Sequence, residues 1–326
     1  MKRFLVTGAM GCIGAWVLKH LADDGQSVVV YDVATKPVRV RLLMDDDTLA
    51  RVTFIQGDVT SLEDVRRVVD ERQISHIIHL AALQVPFCRA DPALGARVNV
   101  VGTVSVLEAA RHSEGRVQGL VYASSIAVFG APDEYPDGPV ADAAPLQPTT
   151  LYGVYKQANE ATARVYWQDW GVPSIGLRPA VVYGVARDQG LTSSPTKAML
   201  AAALGHPYTI AFGGANCMQW ASDVARTFIQ AAEAGWQGAD VFNLGGATVP
   251  MGDVVVAIEA VAPAARGAIG YDERQLPFPF DFDDARLQAI IGPLPHTPLA
   301  DGVAATVDRF RYLTARGLVD AGGLTG

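Results

Sequence analysis

The stretch from residue 2 to residue 32 constrains this chain more than any other. Phe4, Leu5 and Val6 form a short apolar run suited to a buried parallel strand. Gly8, Gly11 and Gly14 follow in the spacing GxxGxxG, and then comes a helical period with Ile13, Val17, Leu18 and Leu21 on one face. Gly25 stops that helix, Ser27 to Tyr31 reads as the next strand, and Asp32 stands at its C-terminal end. A phosphate group seated on the free N–H groups of a helix N-terminus requires a turn without bulky Cβ atoms. An acid ending the second strand accepts hydrogen bonds from an adenosine ribose. Strand, glycine turn, helix and distal acid together predict a dinucleotide site, with Met10, Cys12 and Ile13 completing the turn.

Of the 326 residues, 50% are hydrophobic and 18% charged, which predicts a large core rather than disorder. The net charge of −8 argues against nucleic acid as a partner. Cys12, Cys88 and Cys217 are scattered, and no Cys/His cluster points to a metal, so a reduced, cytoplasmic protein without disulfides is expected. The basic, apolar beginning resembles a signal peptide, but Lys19, His20, Asp23 and Asp24 continue a helix instead of a cleavage site. No apolar run is read as long enough to span a membrane.

Strand and helix then alternate. Val52–Gln56 predicts a third strand, followed by Asp58 and Val59, where the acid suits an adenine amino group or a helix cap. Ser61 with Asp64 competes for the capping role. After a helix from Leu62 to Arg72, Ile74–Leu80 gives a fourth strand ending in Leu80, Ala81 and Ala82, small enough for a cofactor to lie close. His79 reads as a satisfied buried histidine. Asp91-Pro92 opens a long helix to Arg111 or His112 that carries Asn99. Gly119–Ala123 is a fifth strand ending at Ser124-Ser125, and Thr149 or Thr150 caps a helix carrying Tyr152 and Lys156. Pro173–Leu177 is the sixth strand, ending at Arg178-Pro179. Val241–Leu244 reads as a late strand returning to the sheet. The expected class is α/β, a Rossmann-type doubly wound parallel sheet with a smaller C-terminal substrate domain. Residues 1–183, joined by 220–246, form the nucleotide domain. Residues 184–219 and 247–326 are richer in loop signals and form the smaller one. Phe278, Pro279, Phe280 and Phe282 suit its wall, with plain packing an equal alternative.

Tyr152 and Lys156 lie four apart and share a helix face, and Ser125 ends a strand at the edge where such sheets bind ligands. A tyrosine with a pKa of about 10 is a poor base, and a nearby ammonium favours its phenolate. The phenolate takes a hydroxyl proton while hydride leaves the same carbon. Ser125 then holds the substrate oxygen.

The chain resembles the extended short-chain dehydrogenases/reductases, the NAD-dependent epimerase/dehydratase family. The resemblance rests on VTGAMGCIG, YD at 31–32, GDV at 57–59, HLAA at 79–82 and VNVVGT at 98–103. It continues through YASSIAVFG at 122–130, YGVYK at 152–156, LRPAVVYG at 177–184 and SDVA at 222–225. It implies NAD as cofactor. Its contacts would lie at the Gly8 to Gly14 turn, Asp32, Asp58, Val59, Leu80 to Ala82, Asn99, Tyr152, Lys156 and Pro179. It implies Ser125 and Tyr152 as catalytic partners, Lys156 on the nicotinamide ribose, and a homodimer formed through helices near 91–112 and 150–170. Dehydratases of the family carry an Asp-Glu pair where this chain has Ile126 and Ala127. Nucleotide-sugar epimerases tend to carry an Asn after the sixth strand's Arg, here Pro179 to Val182, and an Arg in the stretch that here runs Gly213 to Trp220. A buried diphosphate needs cations, so these departures favour another substrate, unless Arg187, Lys197 or Arg274 substitutes. The resulting expectation is an NAD-dependent oxidoreductase of carbohydrate metabolism acting on a small sugar or sugar acid. Gln84, Ser125, Arg187, Thr192, Ser193 and Gln219 are candidates to line its pocket. The alternatives are a sugar epimerase and a non-catalytic NAD sensor.

Overall fold

A computed structural model of the chain describes residues 2–324; the ends of the expected domain limits, residues 1 and 325–326, lie outside them. Seven strands form one parallel sheet: β1 (Arg3–Thr7), β2 (Ser27–Asp32), β3 (Thr53–Gln56), β4 (His76–His79), β5 (Gly119–Ala123), β6 (Ser174–Arg178) and, after three strands of the smaller sheets, β10 (Ala239–Asn243). Their order is β10-β6-β5-β4-β1-β2-β3, the doubly wound arrangement expected. The late strand does return, pairing parallel with β6 from Ala239↔Ser174 to Asn243↔Arg178.

The inner strands β1, β2, β4, β5 and β6 are largely buried on both faces, which is why they read as apolar runs without alternation, while the edge strands β3 and β10 are more open. Phe4, Val6, Val28, Val30 and Ile78 pack into one core layer, while Leu5, Val29, Tyr31, Ile77 and Tyr122 pack into the other. Register brings Thr7 opposite both Tyr31 and His79, and Ala123 opposite Leu177. The residues expected in the site therefore converge on one edge. The helix Cys12–Asp23 leaves by Gly25, whose φ of +67° is the left-handed conformation glycine adopts without penalty. In the helix Leu151–Trp170, Thr150 provides the cap, its hydroxyl accepting from the Gly153 amide at 3.1 Å.

Residues 92–111 form one helical run, as expected, but Arg97–Val101 takes π geometry. This 20-residue run is long and apolar enough by composition to cross a membrane, contrary to the reading that no such run exists. It packs against the Leu62–Glu71 helix and the Leu151–Trp170 helix.

The polar link after Asp32 holds two short helices, Val38–Arg41 and Asp46–Leu49. The segments with loop signals are more regular than their composition suggests. β7 (Val181–Tyr183), β9 (Ala215–Trp220) and β11 (Ala247–Pro250) form a second sheet, and β8 (Tyr208–Ile210) pairs with β12 (Ile269–Tyr271). The helix Ser194–Leu204 lies between Gly190 and Gly205 and starts on Ser-Pro, so its ends read as breakers. Burial of Ala198, Met199 and Ala201 sustains it. Phe282 is buried and stacks on Phe129 at 5.9 Å, so its role is packing.

Candidate active site

The glycine turn is shaped by the backbone behind it. A Cβ on Gly8 would stand 2.4 Å from the Ala81 amide nitrogen, and one on Gly14 would stand 2.5 Å from the Gly8 carbonyl oxygen. Gly11 caps the Cys12–Asp23 helix without any side-chain hydrogen bond, so the first amides of the helix, those of Cys12 and Ile13 among them, are left to a ligand. One oxygen of Asp32 accepts from the Met10 amide at 3.0 Å and the other from Ala34 at 2.9 Å, which fixes the carboxylate at the edge. These features fit a dinucleotide. Lys36 is the nearest cation in sequence, but the fold brings Arg39 in. Its guanidinium bonds the Met10 carbonyl at 3.1 Å and ion-pairs with Asp188 at 2.8 Å.

Asp58 is exposed and its Oδ1 accepts from the Thr60 amide, while Ser61 is the cap of the following helix. Val59 is buried against Gly102. Leu80 and Ala81 donate their amides to the Thr7 carbonyl and hydroxyl, so the Leu80–Ala82 ridge is laid across the end of β1. His79 bonds Thr7 at 2.7 Å and Thr103 at 3.1 Å, and burial pulls its pKa down to about 3. It is neutral and structural, as read. Asn99 sits in the π segment and is 1% exposed. Its amide donates to the carbonyls of Leu83 and Gly95 and to the Cys88 sulfur. Pro179 is buried, its carbonyl accepting from the Ile126 amide.

Ser125, Tyr152 and Lys156 come together. The Ser125 hydroxyl lies close enough to the Tyr152 phenol to draw its pKa down, and the Lys156 ammonium stands 5.5 Å from the centre of the Tyr152 ring. Lys156 is buried and donates to the Ala123 carbonyl at 2.7 Å, leaving two of its three N–H donors over. Burial lowers its pKa to about 8. The expectation that the lysine would lower the tyrosine pKa is corrected here. Desolvation is the largest effect and pushes the half-buried phenol up, with the Ser125 hydroxyl and the Arg187 charge working the other way. Tyr155 points elsewhere, its hydroxyl donating to the Pro92 carbonyl at 2.9 Å.

The pocket candidates separate into two groups. Arg187 donates to Thr192 at 2.6 Å, Ser193 folds back on the Gly190 carbonyl, and Gln84 reaches the same Gly190. Gln219 lies apart, buried in β9 with its amide bonded to the carbonyls of Leu244 and Gly245 and the Ala180 amide. Arg274 is exposed and bonds the Ala211 carbonyl. Lys197 is buried in the Ser194–Leu204 helix.

The sequence reading missed the frame behind the base. Glu160, one turn beyond Lys156, is bound by Arg178 through two bonds of 2.8 and 2.7 Å and by the Ser124 hydroxyl. Arg178 also donates to the Asp142 carbonyl and Asn243 Oδ1. The available signal was the spacing Tyr152, Lys156, Glu160, which continues one helix face.

Comparison with known proteins gives the chain its relatives. Residues 4–245 match the profile of the NAD dependent epimerase/dehydratase family. The UDP-glucose 4-epimerase of Mycolicibacterium smegmatis is 31% identical over 95% of this chain and 98% of its own length. Among solved structures, a partial consensus L-threonine 3-dehydrogenase is 25% identical with a TM-score of 0.83, covering 95% of this chain and 99% of that one. The UDP-glucose 4-epimerase of Thermus thermophilus in complex with NAD is 26% identical with a TM-score of 0.79, covering 95% and 99%.

Proposed function

Since the chain belongs to the NAD dependent epimerase/dehydratase family, an enzyme family that uses NAD, we propose that it oxidises a secondary alcohol, or reduces the matching ketone, of a small sugar or sugar acid. The observation that carries this reading is the Ser125–Tyr152–Lys156 cluster at the edge of the sheet that also holds the glycine turn and Asp32. NAD, when bound, supplies the hydride acceptor. Ser125 holds the substrate oxygen beside Tyr152, and Tyr152 takes the hydroxyl proton as hydride departs from the same carbon. Lys156, held on the Ala123 carbonyl, turns its remaining donors to the ribose and its charge to the phenolate. Because burial raises the phenol, oxidation speeds up as pH rises through the alkaline range.

A sugar epimerase is the second reading, favoured by the 31% identity to a UDP-glucose 4-epimerase. Against it, the stretch Gly213–Trp220 offers no cation for a diphosphate, and its buried amides, Asn216 and Gln219, are bonded to backbone carbonyls. The retained Tyr152 and Lys156 oppose a mere NAD sensor. In this reading 184–219 and 247–326 supply the substrate side, and the protein works in the cytoplasm as a dimer. Leu94, Val101, Leu151, Val154 and Val165 on the two expected helices stay exposed for that contact.

The test is a screen of free sugars, sugar acids and polyols with NAD, following NADH absorbance, then Tyr152→Phe on the best substrate. Tyr152→Phe keeps NAD binding and loses about 10²–10⁴-fold in turnover. Tyr155→Phe stays within a few-fold. The reverse pattern defeats the assignment. A change of sugar configuration without net NADH would select the epimerase.

A further inference from the structure

The passage out of β7 ends in a turn with two unusual residues. Gly184 has φ +128°, and Ala186, a buried residue with a Cβ, has φ +76°. A non-glycine residue holds the left-handed region only where its surroundings enforce it, and such residues cluster at binding sites. This turn delivers Arg187, whose amide closes on the Gly184 carbonyl at 3.1 Å. One guanidinium arm, Nη2, donates to Thr192, but the buried Nε has no hydrogen-bond partner among the described residues. A buried donor without an acceptor is costly and calls for an explanation. Gln84 arrives from the loop after β4. A Cβ on Gly190 would lie 2.5 Å from Gln84 Oε1 and 3.9 Å from Arg187 Nη2, so the two side chains meet over a residue that carries none. The turn is tied to the glycine loop on both sides of Arg187: the Val185 carbonyl accepts from Trp16 Nε1, and Asp188 pairs with Arg39, which also bonds the Met10 carbonyl.

We propose that Arg187, with Thr192 and Gln84 set around it, is a specificity-determining residue that binds a carboxylate on the substrate. The substrate is then a secondary alcohol bearing a carboxylate, a sugar acid or a short hydroxy acid, and not a neutral sugar. This rests on the reading above that the hydroxyl reacts at Tyr152. A guanidinium fork matches a planar carboxylate with two parallel bonds and carries the one charge needed to balance it. Of the other cations, Arg39 pairs with Asp188, and Lys156 gives one donor to the Ala123 carbonyl and, in the reading above, the others to the ribose. A diphosphate, with more charge than one arginine balances, fits less well. The other source of an anionic oxygen here is the pyrophosphate of the cofactor, because Arg39 ties Asp188, the residue after Arg187, to the Met10 carbonyl of the glycine turn.

The two sources separate in a binding experiment on the NADH-loaded protein, titrated calorimetrically with D-glucuronate, D-gluconate and L-threonine and with the neutral D-glucose and D-glucitol. At least one acid binds, and binds about 10–100-fold tighter than the neutral compounds. Arg187→Met removes that margin, while NADH affinity changes by less than about threefold. Arg187→Lys restores only part of the margin, since it keeps the charge and loses the fork. Neutral compounds binding as well as the acids, or no acid binding at all, overturns the proposal. So does an Arg187→Met protein that loses NADH affinity and keeps its acid. Should Arg187→Met fail to fold, the comparison of acid and neutral compounds on the wild type decides alone. An acid that binds through Arg187 but yields no NADH in turnover with NAD would remove the oxidoreductase reading and leave this one standing.

Discussion

Glu160→Gln removes one charge from the pair behind the active site and keeps its volume. Glu160 and Arg178 are each 3% exposed, and the guanidinium makes two bonds to the carboxylate. Its other hydrogen bonds go to the neutral Asp142 carbonyl and Asn243 Oδ1, and the Asp142 carboxylate, whose charge it also feels, is already paired with Arg286. Breaking such a pair from one side costs about 3–5 kcal/mol, because the surviving charge stays buried. Unfolding entropy of about 2.1 cal/mol/K per residue, taken over 326 residues, comes to roughly 0.7 kcal/mol per degree. The expected fall in Tm is therefore about 4–7 °C. Glu160→Met with Arg178→Met removes both charges. It should be less destabilised than the sum of the two single Met variants by about 2 kcal/mol or more, a coupling read from a double-mutant cycle in urea. A Tm within about 1.5 °C of wild type for Glu160→Gln, or single effects that simply add, would refute the reasoning.

Other consequences are open to direct test. Asp32→Ala should relax the preference for NAD over NADP, because the carboxylate that repels a 2′-phosphate is gone and Arg39 stands beside Met10; wild-type turnover with NADP equal to that with NAD would defeat this. His79 has a pKa of about 3 when folded and 6.5 as a free side chain, so below pH 6.5 the unfolded chain binds a proton that the native state refuses. Its share of stability is complete above 6.5 and lost as pH falls toward 3, amounting to about 2 kcal/mol by pH 5. His79→Asn should flatten the pH 7 to pH 5 change in urea midpoint by that much, and an unchanged slope would mean His79 is protonated in the fold. Incubation with a nucleotide-linked glucose and NAD should give no 4-keto-6-deoxy sugar by mass, since Ile126 and Ala127 are apolar and buried.

The sheet was legible because each strand carries its own apolar run and each ends in a residue with a chemical reason to be there, as Asp32 and Ser125 do. The cluster of Ser125, Tyr152 and Lys156 was legible for the same local reason, a helix spacing and a strand end. What could not be read was set by distance in sequence. Arg39 meets Asp188 across 149 residues, and Asn243 receives Arg178 across 65. Gln219 shows the complementary failure. A glutamine closing a segment with loop signals suggests an exposed position, yet the pairing of β9 with β7 and β11 encloses it, and its amide is spent on backbone. The tyrosine pKa went the wrong way because spacing reports a neighbouring charge and says nothing of burial.

The π segment at Arg97–Val101 bears on how this helix tolerates changes in length. A π turn holds one residue more than an α turn at the same height, and here it releases the Asn99 carbonyl, which Thr103 and Asn159 take up. Deleting one residue from 97–101 would let the run close as ordinary α-helix with its hydrogen bonds intact. The turns on either side would keep their facing, because the residue removed is the one the wide turn absorbs, and the Asn99 carbonyl would return to a main-chain bond and be lost to Thr103 and Asn159. A shortened relative would thus keep its helicity while losing the tie from Asn159 that joins this run to the Leu151–Trp170 helix. A one-residue gap in this segment would mark a change in how two helices are tied together rather than a damaged fold.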